Sequence, residues 1–234
     1  PWTAAHRRRV LESRVRSTSL LAETVSSLSR KPRVFVSASG VGYYGDRGDE
    51  VLREEASSGS GFLAEVCRAW EAAATPAARA GIRLVVLRTG MVLSGAGGAL
   101  PMIAQPFRLG LGGRLGSGRQ YMSWIAIDDL VRAIAHALDR DDVSGPLNAV
   151  SPAAATNTEF TATLGRVLHR PTPFPVPGFA LRFVMNGMAD ELLLFSQRAE
   201  PARLLASGFS FQHPILEDAM RAALARAPHH PVVT

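Results

Sequence analysis

Two short apolar runs, separated by a loop and a helical segment, constrain the fold of this chain more than any other feature. The first is RVFVSAS (33–39) and the second is IRLVVLRTG (82–90), and both have the composition of buried strands. A Gly- and acid-rich loop (40–61) and a segment predicted to be helical (62–80) lie between them. This strand–loop–helix–strand order implies a right-handed crossover and a parallel sheet.

Helices and short strands are predicted on both sides of this unit. Residues 3–28 carry apolar residues at positions 10, 15, 20, 21, 25 and 28, close to the spacing of one helical face, and Thr3 is the expected N-cap. The stretch 94–120 is Gly-rich and is predicted to be irregular. The further predictions are a strand over 121–127, a helix over 128–140 capped by Asp128 or Asp129, a short strand over 145–152, a helix over 156–169 that opens with capping signals, and a last helix over 215–226.

Composition and charge argue against several classes of function. The net charge is +6, but the basic residues, nearly all arginines, are mostly scattered among acids without a nucleic-acid-binding signature, so no nucleic-acid partner is expected. No apolar run approaches the length of a membrane span, so no membrane partner is expected either. The histidines lack metal-ligand spacing, so we expect no metal site. Cys67 is the only cysteine, which makes a reducing cytoplasm the expected compartment.

Several stretches match one enzyme family in order and spacing. They resemble the atypical short-chain dehydrogenase/reductases of the NAD-dependent epimerase/dehydratase-like group, and the end of the chain (173–220) resembles that group's C-terminal domain of unassigned function. Such a resemblance indicates a fold more firmly than a reaction, because one fold hosts many functions. The stretches are VFVSASGVGYYGD (34–46), FLAEVCRAWE (62–71), VVLRTGMVLS (85–94), FRLGLGGRLGSGRQYMSWIAIDDL (107–130) and LNAVSPAAATNTEF (147–160).

The resemblance implies an α/β fold with a Rossmann-type doubly wound parallel sheet. Members of the group open with a Gly-rich strand–turn–helix that binds the cofactor diphosphate, and neither GAGG (95–98) nor GLGGRLGSG (110–118) stands in that context. We therefore expect that the N-terminal strands, ~60–75 residues or two βαβ units, are absent from this chain. Residues 1–150 would form a partial dinucleotide-binding domain, and 151–234 a smaller, mostly helical lobe over the substrate.

The resemblance places a catalytic serine at the end of the first strand but leaves the usual proton donor missing. Ser39 corresponds to the active-site serine that hydrogen-bonds the substrate oxygen. The following helix carries Tyr-x-x-x-Lys in typical members, whereas here Leu63 and Cys67 stand at those positions. A shift of one residue gives Phe62 and Val66, which restores neither group.

Three residues near this position are alternatives for the missing proton donor. Tyr43 is the preferred catalytic candidate, with Glu65 and Cys67 as alternatives, although Cys67 also fits a small buried apolar residue. Arg14 stands where extended members have an asparagine near the nicotinamide, and a solvated helix arginine is an equally open reading. The residues that the resemblance assigns to cofactor binding are Arg14, Ser37, Ser39, Leu63, Arg88 and Gly90.

The substrate side departs from the pattern of nucleotide-sugar epimerases. In the G-x-G-x-Q-x-R-x-F motif of those enzymes an arginine clamps the substrate diphosphate, and Met122 occupies that position here. A methionine cannot make a bidentate phosphate contact, so a smaller or more apolar substrate fits better. The candidate substrate residues are Tyr44, Arg108, Gln120 and Trp124.

Two hypotheses for the function remain open from the sequence. The first is an NAD(P)-dependent oxidoreductase or epimerase-like protein that acts on a small molecule with NADP or NAD, NADP being slightly preferred. The second is a catalytically inactive dinucleotide-binding sensor or partner-binding protein, which the loss of the tyrosine–lysine pair favours. A homodimer is compatible with either hypothesis.

Overall fold

The computed structural model describes residues 3–185 and 188–225. The strands are β1 (Val34–Gly40), β2 (Val51–Leu52), β3 (Arg83–Thr89), β4 (Met91–Leu93), β5 (Tyr121–Met122), β6 (Trp124–Ala126), β7 (Gly145–Ala149), β8 (Ala155–Thr156) and β9 (Arg198–Ala199). The helices are α1 (Ala4–Ser27), α2 (Phe62–Ala73), α3 (Thr75–Arg79), α4 (Ala99–Arg108), α5 (Ile127–Asp139), α6 (Asn157–Leu168), α7 (Gly178–Met185), α8 (Ala202–Ala206) and α9 (Leu216–Ala225). A 3₁₀ turn (Val41–Tyr44) and a π-helix (Asp190–Leu194) complete the described elements.

A parallel sheet of order β1-β3-β7 forms the centre of the described structure. Val34 pairs with Arg83 at the start of β1, and Val85 pairs with Gly145 at the start of β7. The predicted βαβ unit is confirmed, because α2 and α3 connect the parallel strands β1 and β3. The carboxyl ends of all three strands therefore meet at one edge of the sheet, where open α/β sheets bind ligands.

Side chains from both halves of the chain share the hydrophobic core. One cluster joins strand residues such as Val85 and Leu147 to Leu204 and Phe209. Another joins Leu93 and Trp124 to helical residues further along the chain, Phe160 among them. The proposed division at residue 150 stays a prediction. None of the helices in the described part of the chain combines the length and apolar character needed to span a membrane.

The structure corrects three of the predicted elements. The strand predicted over 121–127 is divided into β5 and β6, which pair with β8 and β4 respectively. The helix predicted over 62–80 is interrupted at Ala74, and α3 then begins with Pro76 in its first turn, where a missing N–H costs no hydrogen bond. The segment 94–120 is not wholly irregular, because it contains α4. Its glycines concealed a helical spacing in which Leu100, Ala104 and Phe107 are buried.

Helix faces and caps were predicted less well than the helices themselves. The N-cap Thr3 is confirmed, but α1 buries Thr18 and Ala22, whereas Leu20 and Leu21 are 66% and 55% exposed. At α5 the predicted aspartate cap was wrong, because Ala126 is the N-cap. The Asp129 carboxylate instead accepts hydrogen bonds from the backbone N–H groups of Gln212 and His213. The capping signals of α6 are confirmed as a complete box between Thr156 and Glu159.

Candidate functional site

The carboxyl end of β1 leads directly into a 3₁₀ turn that packs against α2. Leu63, Cys67 and Glu71 follow one another at intervals of four residues and so share one face of α2. A Cβ added to Gly42 would lie 3.2 Å from the Leu63 Cβ and 3.8 Å from the Cys67 Sγ, so this face approaches the turn closely. The face of α2 that bears Leu63 and Cys67 is thus turned toward the end of β1.

Ser39 belongs to a buried network that joins β1, α2 and β3. Its hydroxyl donates to the Glu71 carboxylate at 2.8 Å. The same carboxylate accepts two hydrogen bonds from Arg88, from Nε and Nη2 at 2.9 Å each. The Arg88 side chain is only 4% exposed, and a bidentate pair of this kind is the strongest arginine–carboxylate geometry. The network holds the Ser39 hydroxyl in place.

The Arg88 guanidinium continues the network to the third strand. Its Nη1 donates to the Tyr44 hydroxyl at 3.1 Å, and that hydroxyl donates to the Asn148 Oδ1 at 2.7 Å. Ser39 pairs with Arg88, and Arg88 with Asn148, in the register of the sheet. Burial opposes the charge of Arg88, but the hydrogen bonds that the guanidinium donates to Glu71 and Tyr44 outweigh this effect and raise its pKa. Burial also raises the pKa of Tyr44.

Tyr43 lies beside this network, and its hydroxyl does not take part in the hydrogen bonds of the network. The Arg88 Cζ lies 3.5 Å from the centroid of the Tyr43 ring, and the ring meets Tyr44 edge to face at 5.4 Å. Within the part of the chain that the structure describes, the Tyr43 hydroxyl makes no hydrogen bond. The side chain is half-buried, so it can meet both a bound molecule and solvent. The role of Tyr43 as proton donor stays a prediction.

The other two proton-donor alternatives are placed less favourably. Cys67 is 6% exposed, and burial raises the pKa of its thiol. Hydrogen bonding with the Gly40 backbone and the Ser39 side chain lowers the pKa, but by less than burial raises it. A raised pKa keeps the sulfur in its weakly acidic thiol form. Glu65 is exposed in the first turn of α2, off the face that bears Leu63 and Cys67.

Glu54 is a buried carboxylic acid that the sequence did not single out. It is 2% exposed, and its Oε1 accepts hydrogen bonds from the backbone N–H groups of Asn148 at 3.1 Å and Arg203 at 3.2 Å. Its Oε2 is buried without a hydrogen-bond partner among the described residues. Burial raises the pKa of Glu54 above its ordinary value of 4.5. The protonated form is therefore favoured in the folded protein more than in the unfolded chain.

Glu54 should make the stability of the protein fall as the pH rises. Above pH 4.5 the unfolded chain loses the Glu54 proton before the folded chain does, so folding becomes less favourable until the folded pKa is passed. In Glu54→Gln this position no longer titrates, and we expect its stability relative to the unmodified protein to increase as the pH rises above 4.5. Urea denaturation across this range measures the difference.

Glu55 provides the matched control for that experiment. It is the neighbouring residue, its backbone and Arg203 hydrogen bonds lower its pKa, and its contribution to stability is present above the unfolded pKa and lost as the pH falls. The relative stability of Glu55→Gln should therefore stay nearly constant above pH 4.5 and increase only as the pH falls below 4.5. A difference between Glu54→Gln and the unmodified protein that stays constant with pH would contradict a raised Glu54 pKa.

The predicted cofactor residues do not gather in one place. Ser39 and Arg88 belong to the network, whereas Arg14 and Ser37 line a groove of about 420 Å³ between α1 and β1. Leu63 donates its backbone N–H to the Glu191 Oε2 at 2.6 Å. A Cβ on Gly90 would lie 2.6 Å from the Ser123 carbonyl oxygen, so glycine is required there.

The predicted substrate residues do not converge on one cavity. Tyr44 is fully buried in the network, and Trp124 is fully buried in the core with its Nε1 donating to the Ala153 carbonyl. Gln120 is 6% exposed, and its Nε2 donates to the carbonyls of Leu115 and Leu193 at 3.0 Å each. Arg108 is exposed at the end of α4. Their roles toward a substrate stay predictions.

Three polar residues that bond within the network were not among the site residues predicted from the sequence. Glu71 carried a usable signal, because it continues the four-residue spacing of Leu63 and Cys67 along α2. Asn148 carried a weaker signal as a polar residue inside an apolar strand. Glu54 carried none, because an acid in an acid-rich loop is ordinarily solvated.

Comparison with known proteins places these features in a family. A model of the NAD dependent epimerase/dehydratase family matches residues 1–149, and a model of a domain of unknown function matches 176–223. An epimerase family protein of Mycobacterium leprae is 44% identical over 225 residues, which are 96% of this chain and 73% of that protein.

Solved structures agree with this placement. The crystal structure of the human epimerase family protein SDR39U1 with NADPH is similar with a TM-score of 0.91 and 36% identity, covering 96% of this chain and 76% of that one. A nucleoside-diphosphate sugar epimerase from Corynebacterium glutamicum has a TM-score of 0.79 and 39% identity, covering 96% of this chain and 44% of that one. The fold is Rossmann-like, and the chain belongs to the NAD-dependent epimerase/dehydratase family, with the C-terminal domain of unknown function found beside it.

Proposed function

We propose that the protein is an NADP-dependent oxidoreductase or epimerase-like enzyme that acts on a small molecule at the carboxyl end of β1. In this proposal Ser39 orients the substrate oxygen and Tyr43 transfers the proton. The observation that carries it is the uncommitted Tyr43 hydroxyl, whose ring lies against Arg88 in the same network that holds Ser39.

The residues of this chain fit one end of a dinucleotide. The guanidinium of Arg14 and the hydroxyls of Ser13 and Ser17 line one groove, and such donors suit ribose and phosphate oxygens. Ser37 borders the same groove on β1, and Gly90 permits close approach of the backbone. NADP is preferred to NAD because the similar human protein was crystallised with NADPH. When bound, the nicotinamide supplies or accepts a hydride.

Ser39 and Tyr43 divide the handling of the substrate oxygen. The Ser39 proton is directed at Glu71, so its oxygen lone pairs remain to accept a hydrogen bond from a substrate hydroxyl. In a reduction, the Tyr43 hydroxyl gives its proton to the oxygen of the substrate carbonyl and regains one from solvent. Arg88 and Glu71 act only through these two residues and are positioning residues.

A cofactor-binding protein without turnover is the alternative. The observation that favours it is the face of α2 turned toward the end of β1, which presents Leu63 and Cys67 in place of a proton donor and a cation. NADPH oxidation with a panel of carbonyl compounds, combined with NADPH binding by calorimetry, separates the two functions. Binding with oxidation supports the enzyme; binding without oxidation by any compound supports the alternative.

Ser39→Ala should reduce turnover by about 10- to 100-fold, the effect of losing the hydrogen bond that Ser39 accepts from the hydroxyl formed on the substrate oxygen. The affinity for NADPH should change little if Ser39 acts on the substrate. Steady-state kinetics and calorimetry measure the two quantities. Ser144→Ala is the control, because Ser144 is exposed just before β7, at the opposite edge of the same sheet. Equal turnover in both variants would remove Ser39 from the reaction.

A further inference from the structure

An apolar cavity of about 230 Å³ lies outside the network that holds Ser39 and Arg88. Among the described residues that line it, none is charged. Its walls come from β4, α4, α6 and the π-helix together with the glycine-rich segment after α4. Its larger apolar side chains include those of Met91, Ile103, Phe107, Met122, Phe160 and Leu193.

One buried amide gives this cavity a polar contact point. Asn157 lines the cavity and is 3% exposed. Its Oδ1 accepts the Leu115 backbone N–H at 2.7 Å, whereas its Nδ2 contacts only the Met122 Sδ, at 3.4 Å, among the described residues. A thioether is a weak acceptor, so Nδ2 retains the capacity to donate to a stronger one. Thr161 adds the only other polar side chain among the residues that line the cavity.

Two elements that border the cavity also reach the region of the proposed reaction. Met91 lies just past the carboxyl end of β3, immediately after Gly90. Leu193 belongs to the π-helix, whose Glu191 accepts the backbone N–H groups of Phe62 at 3.0 Å and Leu63 at 2.6 Å. The same helix therefore forms one wall of the cavity and holds the first turn of α2.

Size and polarity restrict what the cavity can hold. A cavity of about 150 Å³ lined by aliphatic and aromatic side chains accepts benzene in another protein, so this one accommodates a ring with a short side chain. A diphosphate would lose its hydration there without a cation to replace it, which is a large cost. Met122 cannot supply such a cation.

We propose that this cavity binds the uncharged, largely apolar body of the substrate, an aryl or medium-chain alkyl carbonyl compound, with an oxygen that accepts a hydrogen bond from the Asn157 Nδ2. This inference rests on the proposed function for the identity of the ligand as a substrate. It removes nucleotide sugars from the substrate class and adds Asn157 as a specificity residue.

Calorimetry with acetophenone, a neutral aryl ketone, tests the cavity without any turnover. We expect the full-length protein to bind acetophenone with a Kd of about 0.1–1 mM. The binding free energy that such an affinity requires is one that a ligand of this size can supply. Leu193→Trp fills the cavity from the π-helix and should weaken binding about tenfold or more. Ile103→Trp, which fills it from α4, should have the same effect if Leu193→Trp fails to fold.

Leu192→Trp is the matched control on the same helix. Leu192 is 46% exposed and is not among the residues that line the cavity, so the affinity for acetophenone should stay within about twofold. UDP-glucose should not displace acetophenone. Equal affinity of Leu193→Trp and Leu192→Trp for acetophenone would overturn the assignment. Displacement of acetophenone by UDP-glucose would overturn it as well.

Failure of the proposed function would look different. If acetophenone binds, Leu193→Trp weakens it and no carbonyl compound is reduced with NADPH, the cavity assignment stands and the enzyme does not. If NADPH is oxidised only with charged sugar carbonyls while acetophenone does not bind, the enzyme stands and the cavity assignment is wrong.

Discussion

Replacing Arg88 with methionine should lower the free energy of unfolding by about 3–5 kcal/mol, the largest stability effect expected of a single substitution here. The reason is the uncompensated charge left behind: the Glu71 side chain is only 16% exposed and would lose both of its hydrogen bonds from the guanidinium. The Tyr44 hydroxyl would lose a donor as well. Urea denaturation at neutral pH measures the change.

The same substitution at an exposed pair is the control. Arg33 and Asp141 form an ion pair whose side chains are 76% and 71% exposed, and Arg33→Met should cost only about 0–1 kcal/mol. The double variant Arg88→Met with Glu71→Leu should be more stable than Arg88→Met alone, because it removes the stranded carboxylate. A loss below about 1 kcal/mol in Arg88→Met would mean that water solvates Glu71 after the change.

Tyr43→Phe should lower the rate of NADPH-dependent reduction by about 10²–10⁴-fold, the usual contribution of a positioned proton donor. The stability of the protein should hardly change, because the hydroxyl bonds to none of the described residues and the ring keeps its contact with Arg88. Measurements of kcat and of thermal unfolding on one preparation test both parts. Full activity in Tyr43→Phe would return the role of proton donor to Cys67 or Glu65.

The neighbouring tyrosine offers a variant with the opposite expected result. Tyr44 is fully buried, and its hydroxyl accepts from Arg88 and donates to Asn148. Tyr44→Phe should cost about 1–3 kcal/mol of unfolding free energy, because it leaves buried partners unsatisfied. Tyr43→Phe therefore tests an effect on the reaction, and Tyr44→Phe tests an effect on the stability of the fold.

The secondary structure of this chain was largely predictable because local pattern determines it. β1 and β3 are apolar runs on both sides of a helix, and the Thr156–Glu159 box marks the start of α6 in the sequence itself. Where a pattern was mixed, the prediction failed. Glycines on both sides of α4 concealed its spacing, and α1 carries apolar residues that the described structure leaves exposed.

The site was predictable only where one residue could be recognised alone. Ser39, Tyr43 and Arg88 were found in the sequence, but Glu71 and Asn148, which bond within their network, were not. The family resemblance assigned positions one at a time. It did not state which side chains share hydrogen bonds.

The sequence by itself determined the βαβ unit, several of the other helices, the family, and the loss of the tyrosine–lysine pair. Only the tertiary structure decided that Ser39, Arg88 and Asn148 stand side by side. The physical reason is that parallel pairing aligns strands far apart in the chain, with a register set by burial along their whole length. Contacts of this kind, and the pKa shifts and the cavity that depend on them, have no local signal in the sequence.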